Sequence, residues 1–156
     1  MNFFRAKTLN LQTILTLKEN SMSYKIIDIE GIGPAYAEKL QAAGIKTTET
    51  LLERCASKKG RDEVAEATGI APALILKWAN HADLFRIKGV AGQFAELLEA
   101  SGVDTVKEFR HRNAENLHKT MVETNEEKKL TRRVPTVKML ADMIEQAKAL
   151  PPVMTY

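Results

Sequence analysis

The chain has 156 residues, 44% of them hydrophobic and 28% charged, with a net charge of +3. That is enough apolar material for one packed domain or two small ones, and it argues against disorder. Residues 1–21 hold Arg5, Lys7, Lys18 and Glu19 and so supply most of the excess charge; the nearly neutral remainder weakens the case for a non-specific nucleic-acid coat but leaves room for a local basic patch.

The first 21 residues read as an extension. Leu9, Leu11, Ile14, Leu15 and Leu17 are interrupted by polar residues. They make neither a membrane span nor a convincing signal peptide. Met22 begins a fresh stretch directly before the first patterned segment. The extension is either a dispensable tail or a docking or membrane-surface amphipathic helix. One cysteine, Cys55, permits no internal disulfide, which fits a reducing compartment and points to the cytoplasm.

From residue 22 onward nearly everything reads as helix. Pro34 suits the first position of a helix that Gly44 stops, and Thr47 caps the next. Ser57 to Gly60 reads as a break, followed by a short helix from Asp62 to Ala67 that Gly69 closes. Pro72 opens a longer helix reaching Leu84, with Leu74, Ile75, Trp78 and Ala82 on one face. A helix then runs from Ala91 or Gly92 to Ala100, and Asp104 or Thr105 caps another. Asn113 starts a helix ending near Val122, and charged residues from Thr124 to Val134 form a loop or short helix. Thr136 caps a last helix from Val137 to Ala149.

These elements form two copies of one pattern. Ile29-Glu30-Gly31-Ile32-Gly33 matches Ile87-Lys88-Gly89-Val90-Ala91 at an offset of 58 residues, with glycine displaced to Gly92 in the second copy. The same offset relates Gly44 to Gly102, Thr47 to Thr105 and Arg54 to Arg112. A constant offset marks a repeated supersecondary unit. Trp78 and Met143 have similar neighbours and are predicted to fill equivalent core positions. The reading is therefore all-α: two tandem, pseudo-symmetric units in one compact helical array, at 22–83 and 84–156, after the extension at 1–21.

The apolar-x-Gly-apolar-Gly pattern followed by a helix start resembles the helix-hairpin-helix motif. Gly31 and Gly33 permit backbone angles closed to other residues and clear side chains from the turn. Ile32 plugs the gap between helices, Ala37 allows close approach and Leu40 fills the core. Amides at such a turn, aided by the helix dipole, can face a phosphate. The resemblance implies contact with nucleic-acid backbone without sequence readout. Residues 22–156 also resemble an uncharacterised bacterial family, domain of unknown function 4332. The stretches that carry this likeness include Leu76-Lys77-Trp78-Ala79, Ala82 to Val90, Gly102 to Val106 and the Pro135 to Tyr156 tail.

The flanking charges reverse between the copies. Asp28 and Glu30 frame the first turn; Arg86 and Lys88 frame the second. Either only the second turn touches phosphate, or the opposite charges face each other or a partner, or these side chains lie along solvated helix surface. Lys58-Lys59 and Arg110-His111-Arg112 form further basic groups, expected at equivalent points, and Lys128-Lys129 with Arg132-Arg133 is diluted by Glu126 and Glu127.

The expected function is a non-catalytic contact to DNA or RNA backbone. Gly31, Gly33, Gly89 and Gly92 would present amides, and Arg86, Lys88, Lys58 and Lys59 would add charge. The alternative is a protein-interaction scaffold in which the hairpins are only structural. No cofactor, metal spacing, catalytic pair or phosphate-loop glycine pattern is evident. Cys55, Trp78 and Tyr36 are read as packing residues.

Overall fold

A computed structural model describes residues 24–156. The predicted extension at 1–21 lies outside them. Among the described residues a 3-10 turn at Ile26–Asp28 precedes eight α-helices: α1 (Pro34–Ala42), α2 (Thr48–Cys55), α3 (Lys58–Thr68), α4 (Pro72–Leu84), α5 (Gly92–Ala100), α6 (Val106–Phe109), α7 (Ala114–Lys128) and α8 (Val137–Ala149). The all-α class holds. The extended pairing found among these residues is one antiparallel bridge, Lys25 to Thr47. None of these helices is long and apolar enough to cross a membrane.

One contiguous core runs from Ile26 to Met154. Helix α4 lies at its centre, packed against α2, α3 and α5. Its apolar residues Ile75, Trp78, Ala79 and Ala82 recur at helical spacing and are all buried. Helix α8 packs on α6 and α7 in the second half, burying Leu140, Met143, Ile144 and Ala147. Trp78 is 1% exposed and meets the Tyr36 ring edge-on, with centroids 5.0 Å apart. Cys55 is fully buried.

Local geometry recurs at the 58-residue offset. Gly31 and Gly89 adopt φ of 96° and 94°, left-handed angles that disfavour a side chain. Ile32 donates to Ile29, and Val90 to Ile87. Thr47 and Thr105 each cap the following helix through their hydroxyls. Arg54 donates to the Ala43 carbonyl and Arg112 to that of Gly102, at 3.1 and 3.3 Å. A Cβ on Gly31 would lie 3.5 Å from Trp78 Nε1, and one on Gly89 would lie 3.2 Å from Met143 Cε. Trp78 and Met143 thus sit behind matching turns.

Two helices are longer than their sequence pattern indicates. α3 begins at Lys58, not Asp62, because the Ser57 hydroxyl accepts from the Gly60 amide and starts the helix early. Gly60 is therefore inside a helix. It faces the Arg54 carbonyl so closely that a Cβ would collide with that oxygen. Helix α7 continues to Lys128, taking in the first part of the segment read as a loop or short helix. Lys129 then turns into the left-handed region at φ 52°, with its amide bonded to Asn125 O.

The C-terminal residues return to the first half. Arg86 Nη2 donates to Pro151 O at 2.7 Å. Thr155 N donates to Ala56 O at 2.8 Å. The Tyr156 hydroxyl bonds Asn80 Oδ1 at 3.2 Å, and Arg61 lies over its ring.

Candidate functional site

The two glycine turns are exposed at their tips. Gly31 and Gly89 are both solvent-facing, and among the described residues their amides donate to no protein atom. The helices they lead into share a second property. α2, α3, α6, α7 and α8 each begin with a Thr, Ser or Asn side chain that accepts a first-turn amide. α1 and α5 have no such cap; nor does α4, which follows Ala71. At α1 and α5 no side chain meets the first-turn amides at the positive end of the helix dipole, although Pro34 supplies no N–H and the Phe94 amide bonds Ala91 O.

Gly33 and Gly92 differ from expectation. Gly33 is the N-cap of α1 at φ −87°, ψ −178°, extended backbone open to any residue, and a Cβ there would meet nothing within 4 Å. Neither its torsion nor its surroundings require glycine. Gly92 is the first residue of α5 at φ 46°. Its Cβ position lies 3.6 Å from Asp28 O, so the second turn abuts the first.

Arg86 is a correction. It was expected at the phosphate, but it is 3% exposed, and its guanidinium holds Asp83 at 2.8 Å and the Pro151 carbonyl. Asp83 in turn accepts the Val106 amide, which opens α6. Burial pushes the Asp83 carboxyl above its usual range, against the pull of Arg86 and its hydrogen bonds. Arg86 is thus a core brace.

Lys88 is exposed, yet its amide is taken by Gln146 Oε1 at 3.0 Å. The charge reversal between turns produces no ion pair from Asp28 or Glu30 to Arg86 or Lys88 among the described residues. Asp28 instead bonds the Lys25 amide.

Lys58 and Lys59 stand at the start of α3. Lys58 pairs with Asp62 and lines a cleft with Arg61, Leu76 and Tyr156, away from the glycine turns. Arg110 and Arg112 are engaged on the carbonyls of Lys148 and Gly102. The expected pair of equivalent basic loops does not form, since the structural counterpart of Arg112 is Arg54.

A different basic group meets the turns. A cleft of about 590 Å³ lies between Tyr24 and Asp28 on one side, Gly92, Gln93 and Phe94 on another, and Arg133. A second, of about 260 Å³, shares Gln93 and is lined by Glu30, Glu96 and Lys129. Asn125 holds the basic loop in place: its Oδ1 accepts from Leu130 N and Thr131 N, and its Nδ2 donates to Thr131 O. The offset of 58 at Arg54/Arg112 has grown to 65 at Trp78/Met143. The added residues are what carry Lys129 and Arg133 alongside the first turn.

At the seam between α4 and α5, His81 is fully buried and its Nε2 lies 3.0 Å from Glu99 Oε2. Burial alone would raise the Glu99 carboxyl, but the hydrogen bond with His81 and the charge of Lys77 bring it below its usual value. Among the described residues no cluster of His, Cys, Asp or Glu has the arrangement of a metal site.

Residues 30–150 match the family described as Domain of unknown function (DUF4332). The chain belongs to this family. The matched span opens at the first glycine turn and closes at the end of α8, so it takes in both turns, the seam and the basic loop. No curated protein and no solved structure matches the chain.

Proposed function

We propose that this member of the family is a non-catalytic module that binds nucleic-acid backbone without reading sequence. In this reading 22–83 and 84–156 are two helix-hairpin-helix units, each offering a turn and a helix start to a phosphate. One observation carries it. The helices entered from the two glycine turns lack side-chain caps, and exposed Gly31 and Gly89 keep their amides unspent. Gly31, Gly89 and Gly92 are the main-chain contacts in this reading, and Lys88 adds charge. Arg86 has no part in it.

A protein-docking role is the second reading. Sequestration of Arg86, occupation of the Lys88 amide by Gln146 and the acids Asp28 and Glu30 beside the turns favour it. Carboxylates there repel phosphate.

Ala35→Glu and Gln93→Glu separate the readings. Both positions are exposed in the first turn of their helices. A carboxylate there complements the helix dipole and should stabilise by about 0.3–1 kcal/mol. If phosphate binds at these helix starts, the same carboxylates weaken binding. Fluorescence anisotropy with labelled duplex and single-stranded oligonucleotides, at low and physiological salt, reads the affinity, and it should fall steeply with salt. Absence of any shift at micromolar protein would transfer the proposal to docking.

A further inference from the structure

We infer that the groove joining the two glycine turns to the 129–133 loop is the seat of a single strand of nucleic acid rather than a duplex. This rests on the backbone-binding reading and adds the class of ligand. The two clefts share Gln93 and run along the flanks of both turns, at Asp28 and Glu30 of the first and Ala91 and Gly92 of the second. The walls of the groove differ in chemistry. Lys129 and Arg133 stand on one side, exposed and in no ion pair among the described residues. Asp28 and Glu30 line the groove from the first turn, and Gln93, Phe94 and Glu96 from α5; the Phe94 ring and the Tyr24 ring, which packs edge-on against Phe85, lie at the larger end.

A duplex presents phosphate to both walls; the Asp28 and Glu30 carboxylates oppose it, while Glu96 is paired with Lys77 at 3.6 Å. A single strand presents phosphates along one edge and bases along the other. Its phosphates fit the Gly92 amide at the start of α5 and the basic loop, which line the same cleft. Its bases fit aromatic faces, which stack on any base, and carboxylate and amide groups, which accept from cytosine amino groups or pair with adenine. The larger cleft, about 590 Å³, lies within the roughly 300–1,000 Å³ of pockets that bury a compact ligand. The basic wall is also a built feature, since Asn125 bonds the loop main chain at Leu130 and Thr131 and so fixes where Lys129 and Arg133 emerge.

The test compares a labelled oligodeoxycytidine of about 15 nucleotides with a duplex of equal length, within the site sizes single-strand binders show. The full chain is titrated by anisotropy beside the Lys129→Glu/Arg133→Glu and Lys58→Glu/Lys59→Glu variants. All four substituted residues are exposed, and circular dichroism melts check that each variant folds. The expected result is at least tenfold preference for the single strand. The groove variant loses at least tenfold in affinity, and its log–log salt slope falls by about 0.7 for each lost phosphate contact. The α3 variant stays near the parent. Equal or tighter duplex binding overturns the inference and leaves backbone binding standing. An equal loss in the α3 variant also overturns it, because general charge would then explain binding. Failure of both probes to bind sinks this inference and the backbone reading together.

Discussion

At the scale of single residues, Arg86 shows how burial reassigns a charge. Flanking a glycine turn, it has the sequence position of a phosphate contact, yet its guanidinium braces Asp83 and the Pro151 carbonyl. Arg86→Met should therefore leave nucleic-acid affinity per folded molecule unchanged and cost about 3–5 kcal/mol, because Asp83 is left charged and unpaired in the interior. The pH dependence has a definite sign. A carboxyl raised by burial favours folding while protonated, and that benefit is lost as pH climbs from its ordinary value of 3.8 through the folded one. Without Arg86 the folded value rises further, so the variant's deficit should shrink on moving from pH 7 to pH 4.5. Urea denaturation at both values checks this; a constant deficit would mean that Asp83 is not the unpaired group. Cys55 gives a second residue-level prediction. Burial pushes its thiol to about 11, so at pH 8 iodoacetamide should modify it only when the protein unfolds. Brisk labelling of native protein would contradict that. The packing roles of Trp78, Tyr36 and Cys55 were legible because apolar residues at helical spacing announce a core. The role of Arg86 was not, because its acceptor is a main-chain carbonyl 65 residues away.

At the scale of elements, caps and glycines decide where helices begin and end. Thr47 and Thr105 perform the same capping bond, so Thr47→Ala and Thr105→Ala should each cost about 1 kcal/mol by urea denaturation. A large inequality would show that the two turns differ in more than their flanking charges. Gly60 reverses a familiar rule. Inside an exposed helix, Gly→Ala usually stabilises by roughly 0.5–1 kcal/mol. Here the new methyl would collide with the Arg54 carbonyl, joining α3 to α2 at close range, so Gly60→Ala should instead destabilise by about 1–3 kcal/mol. A gain in melting temperature would refute the close approach. Sequence reading placed a break there because glycine and paired lysines look like a loop; a glycine selected for helix contact carries the same letter. α4 and α8 were legible, since the opening proline of α4, the threonine cap of α8 and the apolar period of both agree. The end of α7 was not. Its last turn is polar, and it is held by the Asn125 side chain folding around the loop, a tertiary bond with no periodic signature.

At the scale of the whole molecule, a single buried cluster spans both halves. The chain should therefore melt in one calorimetric transition, with matching calorimetric and van't Hoff enthalpies; two separated transitions would show that 22–83 and 84–156 fold independently. The all-α class and the duplicated turn were visible in the sequence because each copy repeats its own glycines and caps. The groove was not, because it depends on which turn faces which helix, and on where the longer second copy carries its surplus length. The hydrogen bond from Thr155 to Ala56 has an implication for biosynthesis. Those partners are 99 positions apart. A ribosome delivering this polypeptide emits the first helices long before the C-terminal segment that latches them, so the nascent first half must wait, partly unsealed, within reach of chaperones and proteases.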